Sequence, residues 1–233
     1  MPHSFRLFPS DSGGGPPEPD CLENVMFASH LDGANGSTTV INDGDPANSG
    51  SFNGAATIDT ADSKFGTSSG FIASGVTNPN EESLSTNNMN YHSGVTTLTA
   101  ELWFKFTGSI SDTDAGGILN IGGNSIQVFK SDNGGASELR VNAGGSSVNI
   151  GAYPVGIWTH LAVTVSDTQT MFWVDGVLKY TKSTSFSWTQ VDVFFGRNSG
   201  TEFGGYIDEL IVTDEVKYTA NFTPPTQPYT ICP

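Results

Sequence analysis

Positive charge is scarce in this sequence. Nine Lys and Arg stand against 24 Asp and Glu, a formal charge of −15. A surface of that sign repels phosphate backbones and anionic bilayers, so no nucleic-acid partner is expected. Charge of either sign is sparse as well, at 14%. The Ala, Leu, Glu and Lys runs that build helices are missing. No apolar stretch is long enough to span a bilayer, so no membrane insertion is expected. Residues 1–20 lack the apolar centre of a signal peptide, being broken by Pro2, Pro9, Pro16, Pro17 and Pro19. Only two cysteines occur, Cys21 and Cys232, bracketing nearly the whole chain. Two readings of them stand. They clasp the ends of a domain whose first and last strands are neighbours, or they are unpaired thiols of a protein made in a reducing cytoplasm.

What is abundant is glycine, 28 residues, among much Ser, Thr and Asn. Such a composition suits short strands joined by many turns. Residues 1–20 read as an arm, since Ser10–Pro19 cannot pack a core. Phe5, Leu7 and Phe8 are its apolar part, an anchor for a neighbouring subunit. From Asn24 the pattern changes. Val25–Leu31 reads as a strand closed by Asp32-Gly33, and Thr38–Ile41, Ala55–Asp59 and Gly70–Ala73 as further short strands. Leu98–Phe106 has the clearest period of two. Leu98, Ala100, Leu102, Phe104 and Phe106 share one face, and Thr99, Glu101, Trp103 and Lys105 the other. Thr170–Val174 and Val177–Thr181, joined by Asp175-Gly176, form the clearest hairpin. The fold expected is all-β: a two-sheet antiparallel jelly-roll sandwich over residues 21–233, preceded by the arm.

Several segments then resemble one family. His30-Leu31-Asp32-Gly33, Lys64-Phe65-Gly66 with Ser68-Ser69-Gly70-Phe71, and Thr99–Lys105 resemble, in that order, signatures of laminin-G-like domains of the concanavalin-A-like lectin/glucanase superfamily. So do Trp158–Thr164, Phe172–Gly176 and Gly205–Leu210. Six weak motifs in the right order make the resemblance specific. The ending Lys217–Thr226 is similar to that of laminin-G-like domains frequent in bacteriophage virion proteins. The resemblance implies a non-enzymatic structural or adhesion protein on a virion surface, as a head decoration or a tail or fibre component. Such a protein is made in the host cytoplasm without a signal peptide and forms homo-oligomers. It contacts other virion proteins and host-surface glycans. The alternative is a free carbohydrate-binding lectin module of a bacterial surface protein. A glycoside hydrolase is least favoured.

The residues searched for chemistry agree with that order. Glucanases of this fold set acidic residues two apart on one strand face. Here Asp208-Glu209 and Glu81-Glu82 are adjacent, so alternation should point them apart. Asp112 and Asp114 lie in a turn. His3, His30, His92 and His160 show no metal-ligand spacing, and no Gly-x-Ser-x-Gly elbow occurs. The superfamily often holds a structural Ca²⁺ between the first strand's end and the last core strand, where Asp32 and Asp208 fall. Asp208 alternates with Leu210 and Val212, so its carboxylate is expected to face an apolar layer and to want a cation or several donors. The competing reading has Asp208 capping backbone N–H groups and Asp32 making a turn. Sugars stack on exposed aromatics. Trp103, Trp158 and Trp173 sit inside family motifs and are expected to pack, leaving Trp188 as the carbohydrate-binding candidate.

Overall fold

The computed structural model describes residues 21–73, 83–86, 89–90, 96–108, 115–123, 125–133, 136–184, 186, 190–198 and 201–232. Fifteen strands form two main sheets. In chain order they are β1 (Val25–Ser29), β2 (Gly50–Asn53), β3 (Thr57–Asp59), β4 (Ser69–Ile72), β5 (Ser83–Thr86), β6 (Leu98–Phe106), β7 (Ala115–Ile121) and β8 (Ile126–Asn133). There follow β9 (Ala136–Ala143), β10 (Val148–Ala152), β11 (Thr159–Val165), β12 (Gln169–Val174), β13 (Val177–Ser183), β14 (Val193–Phe195) and β15 (Gly205–Thr213). One sheet has seven strands in the order β10-β9-β8-β7-β14-β5-β2. The other has eight, in the order β13-β12-β11-β6-β15-β4-β3 with β1 beside β15. Every pairing within these two sheets is antiparallel. No described residue is helical.

The core lies between the sheets. Leu98, Ala100, Leu102, Phe104 and Phe106 enter it from β6, and Leu161, Val163 and Val165 from β11. Facing them are Leu84, Leu119, Val128, Val141 and Phe195 of the seven-stranded sheet. The period of two in β6 thus sets its inner face as expected. Its other face is buried too: Thr99 and Glu101 are 1% exposed and Trp103 6%. The cause is the C-terminal segment.

Residues 214–232 run as a strap over the outer face of the eight-stranded sheet. Thr99 Oγ1 donates to the Glu215 carbonyl at 2.7 Å and accepts from the Lys217 N–H at 3.1 Å. Tyr218 and Phe222 stack on each other and lie against Trp173. Ala162, Met171 and Trp173 form a second apolar cluster under Val216, Tyr218 and Phe222. The Phe222 N–H donates to the Gly176 carbonyl. Further along, Tyr229 stacks on His30 at 3.8 Å between centroids. The strap ends at Thr230–Ile231, paired in parallel with Cys21–Leu22, and at a Cys21–Cys232 disulfide with Cα atoms 4.9 Å apart.

The hairpin at Asp175-Gly176 has positive φ at both residues, 48° and 72°, which suits a tight two-residue turn. Gly176 has a second task. A Cβ there would sit 2.0 Å from the Phe222 carbonyl oxygen, so only glycine lets the strap approach. Other expectations need correction. Thr38–Ile41 forms no ladder, though Val40 still packs on the core. Conversely, β2 and β5 are real strands built from Gly-Ser-Phe-Asn and Ser-Leu-Ser-Thr, with too few apolar residues to announce a strand.

Candidate functional site

The outer face of the seven-stranded sheet carries a row of polar side chains. Antiparallel register aligns Ser51 with Ser85, Ser85 with Phe194, Phe194 with Asn120, Asn120 with Gln127, and Gln127 with Asn142. Their sequence neighbours Phe52, Leu84, Phe195, Leu119, Val128 and Val141 all pack in the core, so by strand alternation this row faces away from it. Ser85 and Asn120 are 5% and 4% exposed. Ser51, Phe194, Gln127 and Asn142 are half-buried. Beside the row, Asn53 Nδ2 donates to the Ser85 hydroxyl at 2.9 Å and to that of Ser83 at 3.3 Å. Phe129 stands two residues beyond Gln127, opposite Arg140. Arg140 is a cation on this face. It is spent locally, on Glu138 at 2.5 Å and on Ser147. Asn142 Oδ1 accepts from the Gly145 N–H at 3.1 Å. The result is a face of hydroxyls and carboxamides beside apolar rings.

The opposite side of the molecule holds a cluster of buried charged groups, and they serve the strap. Glu101 takes Lys217 Nζ on Oε1, and Tyr218 Oη (2.7 Å) and His160 Nε2 (3.3 Å) on Oε2. Burial works to raise the Glu101 pKa, but the His160 hydrogen bond and the Lys217 charge outweigh it and hold the carboxyl at about 2. The same burial, with the Glu101 charge, pushes the Tyr218 hydroxyl up. His160 also stands edge-on to Trp103 and Phe222.

At Asp208-Glu209 the expected alternation fails. A bulge between Asp208 and Ile211, with Glu209 at φ 52°, breaks the period. Ile207, Leu210 and Val212 enter the core. Asp208 sits opposite Trp103, on the strap side, instead of facing the layer of Leu210. Glu209 faces the same side, lining a cleft with Phe65, Trp103, His160 and Tyr229. Both carboxylates are occupied. Asp208 Oδ2 accepts from the Lys64 N–H at 2.8 Å and the Phe65 N–H at 3.2 Å, and its Oδ1 from the Glu209 N–H at 2.9 Å. Glu209 bonds His30 Nδ1 at 2.8 Å and accepts from the Tyr229 N–H at 3.1 Å. Burial lifts Asp208 to about 8 against the pull of its backbone donors. The Glu209 hydrogen bond raises His30.

Asp32 accepts from the Thr67 and Ser68 N–H groups at 2.9 and 3.3 Å. Its carboxylate lies over Gly66, where a Cβ would stand 2.5 Å from either oxygen. Asp32 and Asp208 therefore grip successive parts of one loop, residues 64–68, through N–H donors. A Ca²⁺ site needs converging acceptors instead. Among the described residues no three His, Cys, Asp or Glu side chains come together to hold a metal. These two residues as arranged do not fit a calcium cage.

Trp103 and Trp173 pack under the strap, and Trp158 Nε1 donates to Asp62 at 3.0 Å. Trp188, the expected anchor residues Phe5, Leu7 and Phe8, and Glu81, Glu82, Asp112, Asp114, His3 and His92 lie outside the described residues. The polar row was missed in the sequence because its members come from six separate strands. The one local hint was polar residues alternating with core residues, as in Asn120 and Gln127.

Two antiparallel sheets around one core, with a polar outer face, define a lectin-like jelly-roll domain. The chain belongs to the concanavalin A-like lectin/glucanases superfamily, whose laminin-G-type family model matches residues 73–218. No curated protein matches it. Similar solved structures include domain 4 of an extracellular GH43 arabinanase from Geobacillus stearothermophilus, in complex with arabinotriose. It is 16% identical with a TM-score of 0.54, over 82% of this chain and 92% of that one. The binding domain of botulinum neurotoxin DC, in complex with rat synaptotagmin II, is 10% identical with a TM-score of 0.59, over 84% and 49%. A structure of botulinum neurotoxin type C, whose cell entry depends on two ganglioside molecules, is 12% identical with a TM-score of 0.58, over 84% and 49%. The chain spans about half the length of these toxin chains. At such identities the likeness shows the fold.

Proposed function

We propose that this chain is a non-enzymatic glycan-binding domain whose ligand lies on the outer face of the seven-stranded sheet. The observation that carries the reading is the aligned row Ser51, Ser85, Phe194, Asn120, Gln127 and Asn142. Sugar hydroxyls need paired donors and acceptors, and a pyranose C–H face needs an apolar ring. The row carries residue types of both kinds. The similar structures that bear arabinotriose or depend on gangliosides support the same class of ligand. Against hydrolysis, a glycosidase needs two carboxylates free to flank the bond. The row has none, and Glu101, Asp208 and Glu209 across the molecule have their oxygens committed to the strap and loops.

Binding to a printed glycan panel tests this. Wild type binds, and Phe194→Ala and Gln127→Ala lose at least 10-fold in affinity with melting temperatures within a few degrees of wild type. Equal binding by both variants would remove the row from the account. We propose further that the domain is displayed on a bacteriophage particle, because the Lys217–Thr226 ending resembles virion laminin-G-like domains. On this reading residues 1–20 tie it to a neighbouring virion protein. A chain lacking residues 1–20 should then fold but fail to enter particles, and normal incorporation would contradict the anchor.

A further inference from the structure

The strap meets the outer face of the eight-stranded sheet at Thr99, Glu101 and Trp173. Nearer the other end of β6 a different row begins. Antiparallel register aligns Thr57 with Phe71, Phe71 with Tyr206, and Tyr206 with Lys105. Their sequence neighbours Ile58, Ile72, Ile207, Phe104 and Phe106 pack in the core, so this row faces outward. Trp158 extends it, since the next residue, Thr159, pairs with Phe104. Phe71, Tyr206, Lys105 and Trp158 are all half-buried, with part of each side chain open to solvent. We infer that these four residues, with Asp62, form a second carbohydrate site, on the sheet opposite the Phe194 row, for a short uncharged saccharide. It does not rest on the Phe194 row, which shares no strand with it.

The rings come first. Phe71 and Tyr206 stand 5.1 Å apart between centroids, and Tyr206 and Trp158 6.5 Å apart. Three strand spacings of about 4.8 Å separate Phe71 from Trp158, ~14 Å, which spans roughly two or three pyranose rings. Trp158 is also fixed in place, because its Nε1–H donates to Asp62 Oδ1 at 3.0 Å. A ring already held by its own hydrogen bond loses little freedom when a sugar stacks on it.

The polar groups between the rings come second. The Tyr206 hydroxyl makes no hydrogen bond to another described residue. Burial and the charges of Asp59 and Asp62 raise its pKa, so both carboxylates stand near it. Lys105 Nζ bonds Asp62 Oδ2 at 2.5 Å, yet the two side chains stay 21% and 27% exposed. The ammonium keeps two further protons and the carboxylate further lone pairs. Rings for the C–H face of a sugar, with donors and acceptors beside them for its hydroxyls, make a saccharide site.

Charge decides the class of sugar. A cationic ligand on these rings would meet the Lys105 ammonium, and an anionic one the Asp59 and Asp62 carboxylates. An uncharged sugar meets neither opposition.

Titration with glucose, xylose and arabinose oligomers of one to four units, followed by the indole N–H resonance of Trp158, tests the inference. Trp158→Phe assigns that resonance. The Trp158 signal should move, and Tyr206→Ala should weaken the response at least 10-fold. Tyr206→Phe, which removes only the hydroxyl, should weaken it several-fold and serves where Tyr206→Ala fails to fold. Galacturonate oligomers should bind at least 10-fold more weakly than neutral ones of equal length. A Trp158 signal that stays still with every oligomer, a response that both Tyr206 variants leave intact, or equal binding of galacturonate would overturn the inference. Shifts around Phe194 with Trp158 still would overturn it and leave the Phe194 row standing. A moving Trp158 with the surroundings of Phe194 still would support it and count against that row. Sedimentation as a dimer that Tyr206→Ala splits, without any sugar response, would assign the rings to a second copy of the chain and overturn the carbohydrate site.

Discussion

At the scale of residues, buried carboxylates on the strap side set how stability responds to pH. Glu101 is held at about 2, below its usual 4.5. A depressed carboxyl contributes stability above its unfolded pKa and loses it as pH falls through the folded value, here between about 4.5 and 2. Asp208 does the opposite. Raised from 3.8 to about 8, it contributes fully below about 4 and loses that contribution as pH rises through about 8. Urea melts across pH 4–9 should show this second loss in wild type and not in Asp208→Asn, which is itself less stable by about 1–3 kcal/mol from a misplaced donor. A parallel fall in both proteins would clear Asp208 of the effect. Glu101→Ala leaves Lys217, Tyr218 and His160 without the carboxylate they share and should cost about 3–5 kcal/mol at pH 7. Asp32 and Asp208 face N–H donors, so EDTA should leave the melting temperature unchanged. A fall of several degrees on chelation would restore the calcium reading.

At the scale of elements, the strap is held by side chains and by a covalent end. The Cys21–Cys232 bond closes a separation of 211 residues. Reducing it, or Cys232→Ser, should cost about 2–5 kcal/mol. Gly176→Ala should also loosen the strap, because its Cβ would collide with the Phe222 carbonyl at an already positive φ. Protease cutting within residues 214–229 should quicken in that variant, and unchanged cutting would argue against the contact. Elements also divide by how plainly the sequence announces them. β6 and the Asp175-Gly176 hairpin were legible because a period of two and a left-handed turn are local patterns. β2 and β5 were not, since their stability comes from neighbours in the sheet and not from their own apolar content. The bulge at Asp208–Ile211 was hidden for a related reason. Nothing in Asp-Glu-Leu-Ile marks an extra residue, yet the loop at 64–65 and the strap residue Tyr229 take up the two carboxylates it turns outward.

At the scale of the whole molecule, the two sheets have different tasks. The eight-stranded sheet carries charge on its outer face and spends it on the strap and the loop at 64–65. The seven-stranded sheet keeps an uncharged polar row on its outer face. Membership of the superfamily followed from motifs along the chain, whereas the row exists only once six strands are in register. The central claim is that this row is where a glycan binds. The most direct test follows backbone amide resonances while a bound oligosaccharide is titrated in. The account predicts shifts in β5, β14, β7, β8 and β9, strongest near Phe194, Asn120 and Gln127. Shifts confined to the strap and to the cleft beside Trp103 and Tyr229 would contradict it.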